Sequence, residues 1–430
     1  MNFAIVADDD TGASDAASML TGEGVRTVLL LDYRRLEEDR AVLDPFDAIV
    51  VGTQTRAVRP AAARERTRAA LEALQPYGPR QCQIKYCSTF DSTRKGNIGP
   101  SLDAAIECLD VEATIVCPAL PVNGRTTYNG YHFVHGALLS ESPLRDHPLN
   151  PMTDANLVRW LQYQTDHKVV SVHLRDVRKG PESLGRHMEE AVSAGACYLV
   201  TDAVQQSDLT TIAEATRRWP LISGGSGITA EVPRFLFPER SPLSFEDRVA
   251  AAQGPLLVVS GSCSPATRGQ DEYALGHGFA EVRVDPVAVL SGEFDAEEVS
   301  GDGLECLRAR ESVVVRASGG PDSSVGQVQE AGRSLGLSEE QVGERIGEAL
   351  AAVARRLVAS DLVGRLAVSG GETAGTVCRA LEVRALEVGL PIEPGVPYCF
   401  PLARPELLVV LKSGNFGSED FYERVRRLSA

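Results

Sequence analysis

Short apolar runs that stop abruptly at aspartate, glycine or serine and pass straight into a helix-like stretch recur along this 430-residue chain, and they restrict the fold more than any other feature. The first is Phe3 to Ala7, ending at Asp8, Asp9 and Asp10, with Thr11-Gly12 as a turn and Ser14-Asp15 as helix-start residues before AASML. TVLLL (27–31), DAIVV (47–51), CQIKYC (82–87), ATIVC (113–117), VVSVHL (169–174), CYLVTDA (197–203) and LISGGSG (221–227) follow. Helical patterns such as PAAARERTRAALEAL (60–74) and SLDAAIECL (101–109) lie between them. This alternation predicts an α/β fold, a mostly parallel sheet flanked by helices. Such sheets gather their chemistry at the C-terminal ends of strands, where loops open on a crevice and helix N-termini direct amides into it.

The chain is too long for one core, which predicts two domains. Residues 231–254 hold several prolines and charges without periodicity, so the expected division is 1–235 and 250–430. The rhythm then restarts in PLLVVSGSCSPAT (255–267) and continues through VVVRAS (313–318), a helical ERIGEALAAVARRLV (344–358), RLAVSGGETAGTVCRAL (365–381) and LLVVLKSGNFGSEDFY (407–422). Each domain is thus expected to be a mostly parallel sheet flanked by helices. A net charge of -16 with no basic stripe argues against nucleic acid or anionic membrane as partner. Without a signal-peptide pattern or an apolar run of membrane length, the expected location is cytoplasmic. The nine cysteines are scattered and none stands at CxxC spacing, against a disulfide framework or a structural zinc. His132, His135, His147 and Asp146 lack metal-ligand spacing, so packing or hydrogen bonding is their expected role and no metal-binding residues are assigned.

Three sets of residues carry chemistry. Three adjacent carboxylates repel one another, so at Asp8 to Asp10 a site would imply a bound cation, a basic partner or a raised pKa. Lys85, Arg94, Asn123 and Arg125, from the stretches after CQIKYC and ATIVC, are the polar groups a small hydroxy acid needs, the cations taking its carboxylate. In the second half SGSCS, SGGET and KSGNFG each follow an apolar run. Glycine and serine let backbone amides approach an anion closely, and three such loops make a polyphosphate cradle. Neither a GxxxxGK[ST] nor a strand-borne GxGxxG is present, which excludes a Walker-type kinase and gives a dinucleotide site little support.

The segments ADDDTGASDAAS (7–18), KYCSTFDSTRKGNIGPSLDA (85–104), PALPVNGRTTYNGYHFV (118–134), HPLNPMTDANLVR (147–159), GGSG (224–227), SGSCSPAT (260–267), GGET (370–373), PGVP (394–397) and LKSGNFGSEDF (411–421) together resemble the four-carbon acid sugar kinases, most closely the branch acting on 3-oxo-tetronate. The resemblance implies a sugar-acid domain followed by a nucleotide-binding domain, with ATP and Mg2+ as cofactors and a small sugar acid as the other partner. It implies transfer of the γ-phosphoryl to the terminal C4 hydroxyl, with D-threonate and D-erythronate as alternative substrates. ATP contacts are expected at Ser260 and Ser262, at Gly370, Gly371, Glu372 and Thr373, and at Gly414, with Glu372 a candidate for magnesium. The hydroxyl-orienting base is expected among Asp9, Asp8 and Asp91. Asp10 departs from the apolar residue that relatives carry there, and 285–311 matches nothing in the family. A sugar-acid dehydrogenase and a non-catalytic sensor are the readings from other classes, and a homodimer is the assembly considered.

Overall fold

The computed structural model describes all residues except 35, 37–39, 147–149, 318–324 and 429–430, so His147 and Ser318 lie outside the described residues. The chain divides into two units, Met1–Leu243 and Ser244–Ala430.

In the first unit the strands β1 (Phe3–Ala7), β2 (Thr27–Leu30), β3 (Ala48–Gly52), β4 (Gln81–Lys85), β5 (Thr114–Val116), β6 (Arg125–Tyr128), β7 (Tyr131–Val134), β8 (Ala137–Leu138), β9 (Val169–Val172), β10 (Tyr198–Thr201) and β11 (Leu221–Gly224) follow in chain order. Five of them form a parallel run in the order β11-β4-β1-β3-β2. A second parallel set, β5-β10-β9, joins its edge through a bridge from Cys117 to Gly224. β1 is buried along its whole length, as its unbroken apolar sequence requires of a central strand. The last ladder row runs Gly52, Ala7, Lys85, Gly224 across four strands. The connections from β1 and β4 leave toward opposite sides of the sheet, so the crevice beyond Ala7 and Lys85 is a topological switch point.

The stretch after β5 that carries Arg125 folds over residues 125–138 as an antiparallel sheet, β6-β7-β8. Its tight Asn129-Gly130 turn has both residues at positive φ. The fully buried Asp202, just past β10, accepts from the amides of Asn129 at 2.6 Å, Gly130 at 2.9 Å and Leu174 at 3.0 Å, which ties the hairpin to the parallel strands. Burial pushes the Asp202 carboxyl up, against the pull of these three donors.

The second unit contains β12 (Leu256–Ser260), β13 (Ala280–Val284), β14 (Val313–Ala317), β15 (Arg365–Ser369), β16 (Ala385–Glu393), β17 (Val396–Pro401) and β18 (Leu408–Lys412). β18-β15-β12-β14-β13 is parallel, and β16 and β17 extend it antiparallel. Both units are therefore mostly parallel and flanked by helices. The helix Glu339–Val358, started by a Ser338/Gln341 capping box, buries Val342, Leu350, Val353 and Leu357 on one face. The unassigned 285–311 stretch folds as two capped helices, Pro286–Ser291 and Ala296–Arg308.

Candidate active site

The loop after β1 is held by its neighbours before any side chain acts. The Asp8 amide donates to the Lys85 carbonyl at 3.0 Å, and the Asp8 carbonyl accepts from Thr55 at 2.8 Å and Arg56 at 3.3 Å. Asp9 then takes an extended conformation (φ -148, ψ 164), and its Oδ1 accepts from the Gly12 amide at 2.6 Å. It is thus the helix N-cap, and the helix runs Asp10–Gly22. The expected turn at Thr11-Gly12 with a helix start at Ser14-Asp15 is corrected: a capping aspartate at Asp9 lets the helix begin four residues earlier.

Arg56, from the loop after β3, is the basic partner the carboxylates require. Its guanidinium is bidentate on Asp8, Nε to Oδ2 at 2.8 Å and the second contact to Oδ1 at 2.9 Å, and its third nitrogen meets Asp9 Oδ2 at 2.7 Å. Burial alone would lower the Arg56 pKa, but the Asp8 and Asp9 charges raise it, so it stays cationic. Burial and then the Asp8 charge push the Asp9 carboxyl above its ordinary value, against Arg56, Lys85 and the Gly12 amide. Asp10 stands apart, its Oδ2 accepting from Gln54 at 2.8 Å.

Lys85 is buried, with Nζ 4.0 Å from Asp15 Oδ2. A Cβ added at Gly12 would come within 2.4 Å of both Lys85 Nζ and Asp9 Oδ1, so only glycine lets these groups share the helix start. Asp8, Arg56, Lys85, Asp91 and Asn97 give the charged and amide groups of one narrow pocket of about 20 Å³, room for a single water, whose walls also include Val6, Ile84 and Ile98. Asn97 donates to the carbonyls of Thr55 at 2.5 Å, Arg56 at 3.2 Å and Val58 at 2.6 Å, and so fixes the loop that carries Arg56.

The remaining candidates of this unit take no part in the Asp8–Arg56–Asp9 contacts. Arg94 is exposed, with its guanidinium 4.3 Å above the Tyr163 ring. Asn123 is exposed on a single 3-10 turn and gives its carbonyl to Arg125. Arg125, half-buried at the start of β6, has a buried Nε with no hydrogen-bond partner among the described residues. It adjoins the fully buried His132, whose Nδ1 lies 3.0 Å from Thr127 Oγ1. Burial, with a smaller push from the Arg125 charge, lowers His132 to about 4.

In the second unit Ser260, Ser369 and Lys412 occupy one ladder row at the C-terminal ends of β12, β15 and β18. The three glycine-rich loops leave from that row and interlock. A Cβ at Gly261 would lie 2.0 Å from Thr373 Oγ1, and one at Gly414 would lie 2.1 Å from Ser262 Oγ. Gly370 has φ +115, which residues with a side chain rarely adopt, and it caps the helix Gly371–Ala380. Ser264 Oγ and Thr267 Oγ1 donate to the Gly414 carbonyl at 2.6 and 2.7 Å. Gly371 and Glu372 are exposed at the helix start, whereas Thr373 is buried. Ser260 departs from a direct side-chain role, because its buried hydroxyl donates to Asp271 Oδ2 at 2.7 Å. Burial raises Asp271 to about 6 and lowers the nearby Lys412 to about 8.

Arg56 and Asp271 are absent from the sequence reading, and Lys412 enters it only as the first residue of KSGNFG, without a role of its own. For Arg56 the signal is its place four residues past β3, but that β3 flanks β1 follows only from the strand order. The described residues contain no cluster of three or more His, Cys, Asp or Glu side chains suited to a metal, and no helix long and apolar enough to cross a membrane.

Residues 3–232 match the family model described as a sugar-binding N-terminal domain, and residues 257–422 match that of a nucleotide-binding C-terminal domain. The chain is 41% identical over 433 residues to a 3-oxo-tetronate kinase of Cupriavidus necator, covering 98% of this chain and 96% of that one. Another, from Pseudomonas savastanoi pv. phaseolicola, is 39% identical over 97% and 95% of the two chains. The crystal structure of Haemophilus influenzae protein HI1011 superposes with a TM-score of 0.79 at 33% identity, covering 98% of both chains. One from Salmonella typhimurium LT2 gives 0.84 at 32%, covering 99% of both.

Proposed function

The chain belongs to the four-carbon acid sugar kinase family, and on that premise we propose that it transfers the γ-phosphoryl group of ATP to the C4 hydroxyl of 3-oxo-tetronate. The observation that carries this reading is the Asp8–Arg56–Asp9 cluster at the switch point, one carboxylate fixed by a bidentate arginine and the other held at raised basicity. The names of relatives alike over their full length support the choice of acid.

Phosphoryl transfer asks the protein for alignment and charge compensation rather than covalent chemistry. Asp9 orients the C4 hydroxyl and takes its proton as O4 bonds to the γ-phosphorus and the bond to the β-γ bridging oxygen breaks, releasing ADP. Its raised pKa strengthens it as a base, while the Arg56 charge pulls that pKa back down. Asp8 anchors Arg56. Asp91, in the same pocket, is the second candidate for the base. Lys85 and Arg125 are the cations for the substrate carboxylate, and the Arg125 Nε is a donor that an acceptor oxygen would satisfy. The loops at Ser262, Gly370 and Gly414 form the polyphosphate cradle. Glu372, an exposed carboxylate in the first turn of the helix Gly371–Ala380, would be the residue to hold magnesium, which would supply neutralisation of phosphate charge.

A coupled ADP-release assay over 3-oxo-tetronate, D-threonate and D-erythronate tests the proposal. The highest kcat/KM is expected with 3-oxo-tetronate. A higher value for another acid would reassign the substrate, and no release with any acid would remove the kinase reading. Asp9→Asn keeps the helix cap and should lower kcat by about 10²–10⁴. Full activity there, with the loss at Asp91→Asn instead, would move the base.

A further inference from the structure

Among the described residues of the second unit, Phe416 is the only exposed phenylalanine, tyrosine or tryptophan, at 39%. It sits two residues beyond Gly414, in the loop between β18 and the helix Phe421–Arg426. An exposed ring usually rides on a yielding segment. This one does not.

The loop is gripped from the inside by one face of the helix Pro265–Gly276. Ser264 and Thr267 hold the Gly414 carbonyl, and the buried Gln270 donates its amide to the carbonyls of Phe416 at 3.0 Å, Gly417 at 2.9 Å and Ser418 at 3.0 Å. Lys412 Nζ reaches Thr267 Oγ1 at 3.3 Å and the Ser413 carbonyl at 3.2 Å. From the other side Glu393 accepts the Ser418 amide at 3.0 Å and its hydroxyl at 2.6 Å. Gly417, at φ +88, lies so close that a Cβ would meet the Phe421 ring at 2.9 Å and Gln270 Nε2 at 3.0 Å. Ser264, Thr267 and Gln270 recur at a spacing of three, so a single helix face fixes the loop carrying both Gly414 and Phe416.

A flat apolar face fixed beside a phosphate-type loop suits the base of the nucleotide whose phosphates that loop would hold. We propose that Phe416 is a stacking platform for the nucleobase, a binding residue of the nucleotide site. The inference rests on the kinase reading above. Stacking tolerates any base, so ATP and GTP should depend on the ring alike.

The experiment uses the full chain. Phe416→Ala should raise KM for ATP and for GTP by roughly 5- to 150-fold, with kcat and the sugar-acid KM within about twofold of wild type. Phe416→Tyr should restore ATP binding, and an unchanged circular dichroism spectrum keeps folding out of the comparison. In Phe416→Trp, the emission difference from wild type should be quenched by ATP and left unchanged by inorganic tripolyphosphate. An unaltered KM for ATP in Phe416→Ala, or equal quenching by tripolyphosphate, would overturn the proposal and leave the kinase reading intact. Absence of ATP turnover in wild type, with ATP-specific quenching retained in Phe416→Trp, would remove the kinase reading and leave the stacking site standing.

Discussion

Replacing Arg56 by methionine tests whether the carboxylate pair is held by a cation or by the loop itself. The guanidinium makes three contacts of 2.7 to 2.9 Å to Asp8 and Asp9, so its removal leaves two neighbouring carboxylates without their paired cation, with Lys85 and the Gly12 amide as the remaining compensation at Asp9. Breaking a fully buried pair costs about 3–5 kcal/mol. Here the Arg56, Asp8 and Asp9 side chains are 24%, 14% and 28% exposed, and solvent softens the loss to about 2–3 kcal/mol. For a unit of this size that lowers Tm by roughly 4–12 °C. The catalytic consequence is separate. Asp9 must be ionised to accept a proton, and Arg56 is a charge that lowers its already raised pKa. Arg56→Met therefore moves the acid limb of kcat/KM toward higher pH, with Arg56→Lys, which keeps the charge, between it and wild type. Differential scanning calorimetry and coupled ADP-release profiles read the two effects. An acid limb that stays in place or moves to lower pH in Arg56→Met would refute the role of Asp9 as the titrating base.

Arg125→Ala should raise the sugar-acid KM by roughly ten- to a hundredfold through loss of a charge-assisted pair and leave the KM of ATP alone; equal rises in steady-state kinetics would mean general damage. Gly370→Ala places a side chain at φ +115, with its Cβ 3.1 Å from Thr373 Oγ1. Titration calorimetry should show ATP affinity weakened by roughly tenfold or more, from about 1–3 kcal/mol of backbone strain in the cradle. Asp271 has a folded pKa raised from 3.8 to about 6. Its contribution to stability is complete below its unfolded pKa and is lost as pH rises through about 6, a change of about 3 kcal/mol. Asp271→Asn should match wild type in thermal melts at pH 4 and melt higher at pH 8, and a lower Tm at pH 8 would contradict the sign.

What could be read from the sequence was what is local. The apolar runs at Phe3–Ala7, Ala48–Gly52 and Leu256–Ser260 declare buried strands by themselves, and Asp8 and Asp9 lie immediately beyond the first. Arg56 could not be placed with them, because a sequence of strands does not state that β3 lies beside β1. The Asn129-Gly130 pair is itself a local hairpin signal for β6 and β7, but what ties that turn to the parallel strands, Asp202, is more than seventy positions away and is visible only in the structure. Thr11-Gly12 reads as a turn by composition, and only the Asp9 cap reveals a helix. Ser260 lies at a strand end as expected, but the direction of its hydroxyl is decided by Asp271 on the following helix.

Phosphorus-31 nuclear magnetic resonance of the reaction with ATP, Mg2+ and 3-oxo-tetronate tests the central claim most directly. The account requires one new phosphomonoester per ADP, its resonance split into a triplet by the two C4 protons. A doublet from a phosphate on a CH carbon, or inorganic phosphate as the only product beside ADP, would contradict it.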